Sequence, residues 1–146
     1  MAGAPARFTL SDESFSSFAD MHRKLKSHGC EGGAQVILGV DMTGSNNSSG
    51  KRTHGGRSLH APSEDGTPSP YAECISTLCG DFSELDPDRE YNVFGFGCSR
   101  TQDKKVFNFA PAGAAIVGLQ AALSRYNEIV SNPALRLAGP TTFGRA

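Results

Sequence analysis

Two rhythms of apolar residues run along this chain. Val36-Ile37-Leu38-Gly39-Val40 is an unbroken apolar run, the pattern of a strand buried on both faces in a parallel sheet. Tyr91–Gly97 and Lys105–Phe109 are rich in aromatic and β-branched residues and read as two further strands. The short turn Ser99–Lys104 joins them, so they should pair antiparallel. Elsewhere the spacing is helical. Phe15, Phe18, Met21 and Leu25 recur on one face, with Ser11 as a candidate cap and Gly29 as a stop. Tyr71, Cys74, Ile75, Leu78, Phe82 and Leu85 form a second stripe behind Ser69-Pro70, where Pro sits well at a first helical position. Asp86-Pro87 should end that helix. Ile116, Leu119, Leu123, Tyr126 and Val130 make a third stripe across 113–132, closed by Pro133. Helix, strand, helix, strand, strand, helix predicts a layered α/β domain. The first strand, its crossover helix and the second strand should form a right-handed unit.

The stretch from Asn46 to Ser69 breaks both rhythms. Ser, Gly, Asn, Arg and Pro dominate it, and it reads as one long loop with a short extended piece at Arg57-Ser58-Leu59-His60. Loops of this length are usually functional or mobile.

Composition narrows the class only modestly. A chain of 146 residues holds one domain with a real core. Residues 1–10 read as a flexible start and 11–146 as the domain. A net charge of −1 calls for neither nucleic acid nor an anionic membrane. The cysteines Cys30, Cys74, Cys79 and Cys98 contain no C-x-x-C pair, which argues against structural zinc. No secretory leader or membrane-length apolar segment is visible, so a reducing, cytoplasmic setting is expected.

Chemistry concentrates where the first strand ends. Asp41, Thr43 and Ser45 follow Val40 at alternate positions. If extended geometry persists, one carboxylate and two hydroxyls point the same way. That set suits a hard cation such as Mg²⁺. A plain polar turn is the competing reading, because Asp, Ser, Asn and Gly are turn formers. A phosphate loop fits poorly: Gly44 and Gly50 are separated by five residues, and Arg52 follows Lys51, where the motif needs four and a Ser or Thr. Lys51, Arg52, His54 and Arg57 read as a solvated loop face. His54-Gly55-Gly56 is similar to an esterase oxyanion segment, yet the chain has no G-x-S-x-G elbow. Cys74 and Cys79 read as packed core thiols, and Cys98 as a thiol in a more polar setting. Asp81, Glu84, Asp86 and Asp88 read as a solvated acidic surface. No nucleophile–base set supports an enzyme.

Several segments taken in order resemble the copine-type von Willebrand factor A domain, nearest to that of copine-like RING-type ubiquitin ligases. They are Gly39–Asn46, Arg57–His60, Ser69–Tyr71, Val93–Gly97, Val106–Phe109, Leu123–Val130 and Leu137–Thr141. The resemblance implies a Rossmann-like von Willebrand factor A fold, of which the chain would hold the N-terminal half only: a central parallel strand, a β-hairpin edge and flanking helices. It also implies a metal-ion-dependent adhesion site. The Asp-x-Ser/Thr-x-Ser element falls on Asp41, Thr43 and Ser45, and the Thr after Gly-Pro falls on Thr141, with Thr142 the second choice. Mg²⁺ is the expected ion, or Mn²⁺ or Ca²⁺, and an acidic group from a protein partner would complete the coordination.

The departures carry expectations too. The family's third metal element is an Asp on a later strand, and this chain ends five residues after Thr141. The look-alikes commonly carry Asp where Cys98 stands. No RING-type Cys/His array and no C2 domains are present in the sequence. The expectation is a non-enzymatic protein-binding module whose metal site is incomplete, with weak or absent affinity. Its first strand should expose an apolar edge, so self-association or pairing with another chain is expected. The alternative is a fragment of a copine-like ubiquitin ligase.

Overall fold

The computed structural model describes residues 14–29, 35–110 and 114–141. The chain divides into two compact units, residues 1–31 and 32–146.

In the first unit, α1 spans Phe18–Ser27. Its cap is Ser17 rather than the expected Ser11, which lies outside the described residues. The Ser17 hydroxyl accepts the Asp20 amide at 3.2 Å, satisfying one orphan donor of the first turn. Lys24 and Lys26 sit in the last turn, favourably placed at the negative end of the helix. Gly29 follows at φ 86°, the left-handed stop that glycine adopts without strain.

The second unit contains β1 (Ile37–Asp41), α2 (Asn46–Ser49), α3 (Pro70–Asp81), β2 (Asn92–Phe96), β3 (Val106–Asn108) and α4 (Leu119–Val130). The sheet order is β1-β2-β3. β1 and β2 are parallel, with Gly39 opposite Phe94, while β2 and β3 are antiparallel, with Gly95 opposite Phe107. The mixed α/β layering and the β2–β3 hairpin are as expected from sequence. β1, the central strand of the implied full fold, stands at one end of the described sheet, in keeping with the open edge expected for it. One expectation fails: β1 is not buried on both faces, since Leu38 and Val40 are buried but Ile37 is 68% exposed. The reason lies in where the helices pack. Leu38, Val40 and Val93 cluster with Ala72, Ile75 and Cys79 of α3 and with Ala122 and Tyr126 of α4, so both helices serve the same face.

The helix boundaries also move. α3 ends at Asp81 with Phe82 as its cap, one turn before Asp86-Pro87. Its buried residues are Ala72, Ile75 and Cys79, whereas Cys74 and Leu78 are exposed. Tyr71, Cys74 and Leu78 instead line a cavity with Leu38, Gly39 and Val40, beside the free side of β1. α4 begins at Leu119 rather than near 113. Val117 bridges Glu90, and Gly118 at φ 81° sets the start. Arg57–His60 is irregular chain leading into a turn at Leu59-His60, not an extended strand, and the loop hides the short α2.

Two surface readings change as well. Asp86 is fully buried and its Oδ2 accepts the Val36 amide at 2.9 Å, so it fastens the entry to β1 rather than lying in solvent. Cys98 is buried, with Sγ 3.2 Å from the Thr101 hydroxyl. Among the described residues no helix is long and apolar enough to cross a membrane.

Candidate functional site

β1 delivers Asp41 to the carboxyl end of the sheet, the usual ligand side of an open α/β sheet. The chain then turns sharply. The Asp41 carboxylate accepts the Thr43 amide through Oδ1 at 2.7 Å, an Asx turn that bends the loop back over the strand end. Met42 continues the ladder by donating to the Phe96 carbonyl at 2.7 Å. Thr43 is 2% exposed, held beneath the loop, while Ser45 lies at its surface.

Three hydroxyls meet here. Thr43 Oγ1 is 3.0 Å from Ser45 Oγ. Thr141 donates to Thr43 Oγ1 at 3.0 Å, across 98 residues of chain. Residues 137–138 carry Thr141 to this place. Ala138 bridges Thr43, and Leu137 bridges Cys98 at the end of β2. The sequence-expected residues Asp41, Thr43, Ser45 and Thr141 are thus brought together. Thr142 lies outside the described residues.

The donor set fits a small hard cation. Neighbouring oxygens in an octahedral Mg²⁺ shell at about 2.0–2.1 Å stand about 2.9–3.0 Å apart. The two hydroxyl separations have that spacing. Among the described residues no group of three or more His, Cys, Asp or Glu could hold a metal. A cation here would therefore rest on hydroxyls and one carboxylate, with partner or water oxygens for the rest.

A buried polar layer, which the sequence did not disclose, supports the loop from behind. Asn46 Nδ2 donates to the carbonyls of Asp41 at 3.0 Å and Thr43 at 3.2 Å. Tyr71 donates its hydroxyl to Asn46 Oδ1 at 3.1 Å. His60 Nε2 lies 2.9 Å from the same Asp41 carbonyl, and its Nδ1 is 3.0 Å from the Tyr126 hydroxyl. Ser69 Oγ is 3.1 Å from that hydroxyl and caps α3 through the Ala72 amide at 3.2 Å. The His60 ring also stacks on Tyr71, with centroids 4.1 Å apart. Burial holds the His60 imidazole below its ordinary value, opposed by the Asp41 carbonyl and carboxylate. Burial raises Tyr71, helped by the Asp41 charge, and pushes Tyr126 up to about 12.

Asn46 resembled a turn residue in the sequence, and Tyr71 and Tyr126 resembled helix-face apolars. The only available signal was that a buried tyrosine needs a partner for its hydroxyl. Of the loop's basic residues, Lys51 and Arg52 are exposed, His54 bonds the Ala61 carbonyl at 2.7 Å, and Arg57 pairs with Glu64. They form no joint anion site.

Comparison with known proteins follows this geometry. The copine family model matches residues 58–146. E3 ubiquitin-protein ligase RGLG1 of Arabidopsis thaliana is 36% identical over 137 residues, covering 94% of this chain and 27% of the ligase. E3 ubiquitin-protein ligase RGLG3 of the same plant is 39% identical over 129 residues, covering 88% of this chain and 34% of the ligase. Copine family protein 1 of Caenorhabditis elegans is 36% identical over 108 residues, 74% of this chain and 10% of that protein. The chain thus spans about a third or less of each of these relatives.

Proposed function

Because this chain belongs to the copine family, we propose that it is a protein-binding module working through a divalent cation held by Asp41, Thr43, Ser45 and Thr141. The observation that carries this reading is the hydroxyl trio at the carboxyl end of β1, with both separations at 3.0 Å. Asp41 supplies the negative charge, directly or through water. The three hydroxyls supply neutral oxygens, so a bound Mg²⁺ keeps net positive charge and attracts a carboxylate from a partner. Interaction in a protein-rich, reducing compartment such as the cytoplasm suits this chemistry. Titration calorimetry of Mg²⁺, repeated with Mn²⁺, tests the reading. Wild type should release or absorb binding heat that Asp41→Ala does not. Identical heats for the two proteins would overturn it.

A second reading is favoured by the relatives. Five of them are named E3 ubiquitin-protein ligases, and in a ligase this module would select the substrate while other sequence transfers ubiquitin. The test is immunoprecipitation of the endogenous protein followed by incubation with activating and conjugating enzymes. Ubiquitin conjugates support this reading, and their absence counts against it. The edge of β1 away from β2, which pairs with no strand among the described residues, also supports pairing with a second chain. Light scattering of the purified protein at rising concentration checks this, and a constant monomer mass removes it.

A further inference from the structure

We propose that His60 is a positioning residue for the cation loop, setting the Asp41 carboxylate through the Asp41 backbone. This rests on the cation reading above, but the contact is with the peptide, not with any ion. The Asp41 carbonyl marks the point where β1 becomes loop. A carbonyl has two lone pairs, and both are used here, by Asn46 Nδ2 at 3.0 Å and His60 Nε2 at 2.9 Å. The orientation of that peptide decides where the Asp41 side chain emerges.

The proton positions in this layer follow from donor and acceptor logic. A carbonyl oxygen only accepts, so Nε2 carries the imidazole hydrogen. Nδ1 of the neutral ring then accepts from the Tyr126 hydroxyl at 3.0 Å. Tyr126, having donated, accepts from Ser69 at 3.1 Å. Ser69 has its remaining acceptor capacity for the Ala72 amide. The chain of bonds runs one way, from α3 through α4 to the end of β1. His60 is 7% exposed, Ser69 4% and Tyr126 0%, so no member can turn to solvent without breaking the series.

The two donors to Asp41 are also tied to each other. Tyr71 holds Asn46 by its hydroxyl and His60 by its ring face. Asp41, Asn46, Tyr71 and His60 therefore form a closed circuit of three hydrogen bonds and one stack. His60 reaches it from 19 residues downstream of Asp41. A polar circuit with every member satisfied fixes one geometry, and partners behind a metal ligand typically alter affinity by about 10–100-fold when removed.

The test separates a positioning role from mere packing. Wild type, His60→Leu, His60→Gln and Tyr126→Phe are compared for Mn²⁺ binding, followed by the loss of the free-ion paramagnetic signal. Gln can return an N–H to the Asp41 carbonyl, whereas Leu fills space without one. His60→Leu should raise Kd roughly tenfold, and His60→Gln should recover most of the affinity. Nitrogen-15 spectra should show the Nε2–H tautomer in wild type and also in Tyr126→Phe, a variant mild enough to stay folded, because the Asp41 carbonyl still accepts from Nε2. A folded His60→Leu protein that binds Mn²⁺ like wild type, or a wild-type Nδ1–H tautomer, overturns the proposal. If wild type binds no Mn²⁺, the cation reading fails separately. Amide exchange at Thr43, whose N–H is held by the Asp41 side chain, then decides the role of His60. It should quicken roughly tenfold in His60→Leu and not in His60→Gln, and unchanged exchange refutes it.

Discussion

Gly97 ends β2 directly beside the loop, and replacing it with alanine tests whether the hydroxyl trio is held as tightly as its geometry implies. Its φ is 80°, and an added Cβ would overlap the Thr43 methyl carbon and lie 3.3 Å from the Thr43 amide nitrogen. Gly66 supplies the control, because its φ is 83° but nothing lies within 4 Å of its added Cβ. Both substitutions pay the left-handed backbone cost of about 1–2 kcal/mol. Both also gain the same loss of unfolded-chain freedom, about 0.4–1 kcal/mol, which cancels in the comparison. Only at Gly97 must Thr43 yield. Its methyl moves chiefly by rotation about χ1, and that rotation carries Oγ1 away from Ser45 and Thr141. Two hydrogen bonds at about 0.5–1.5 kcal/mol each are then lost or weakened. Gly97→Ala should therefore be about 1–3 kcal/mol more destabilising than Gly66→Ala. Urea unfolding followed by circular dichroism measures the difference. With a slope of about 1.5 kcal/mol/M, the midpoints should separate by roughly 0.7–2 M. Midpoints equivalent to within about 0.5 kcal/mol would refute the claim that Thr43 is locked.

Other outcomes follow from the buried layer and the thiols. Tyr126→Phe removes the hydroxyl that serves both His60 and Ser69. It should cost about 1–3 kcal/mol, toward the lower end because both partners line an open groove of about 930 Å³ that water can enter; a neutral change by urea unfolding contradicts the network. At pH 8, iodoacetamide should label exposed Cys74 quickly and spare buried Cys79 until denaturant is added, and equal native labelling read by mass spectrometry contradicts that burial. Burial, with the Asp86 charge adding to it, pushes the Cys79 thiol up from 9.0 to about 11. The unfolded chain therefore loses this proton first. The thiol's contribution to stability is complete below about pH 9 and is lost as pH rises through about 11. Melting temperatures should fall over that window in wild type more than in Cys79→Ala.

Local chemistry in the sequence accounts for much of what forms. The apolar run before Asp41, the Ser69-Pro70 helix start and the short 99–104 connection each encode their element through backbone sterics, capping and chain reach, which act over a few residues. The ordering of helices and strands then suffices for a layered α/β domain. The turn after β1 was legible for the same reason: Asp41, Thr43 and Ser45 are close in sequence, and the Asx turn from Asp41 to Thr43 is local, whereas the cation reading of that turn came from the family resemblance. Thr141 was reachable only through family resemblance, because nothing nearby in sequence points across the fold to Thr43.

What tertiary structure alone decided are the questions of which face and which partner. Periodicity put Tyr71, Cys74, Ile75 and Leu78 on one stripe, of which Ile75 is buried; packing alone decided that Ala72 and Cys79 would join it while Cys74 and Leu78 stay exposed. Position in an acidic stretch suggested that Asp86 was solvated, yet the Val36 amide takes it into the interior. The apolar run Val36–Val40 predicted a strand, and the crossover through α3 its parallel pairing with β2, but which of its side chains would be covered depended on where the helices packed. The layer of His60, Tyr71, Asn46, Ser69 and Tyr126 is the fullest case. Each side chain is unremarkable in its own segment, and each becomes a required donor or acceptor only when packing brings the five together behind the Asp41 carbonyl.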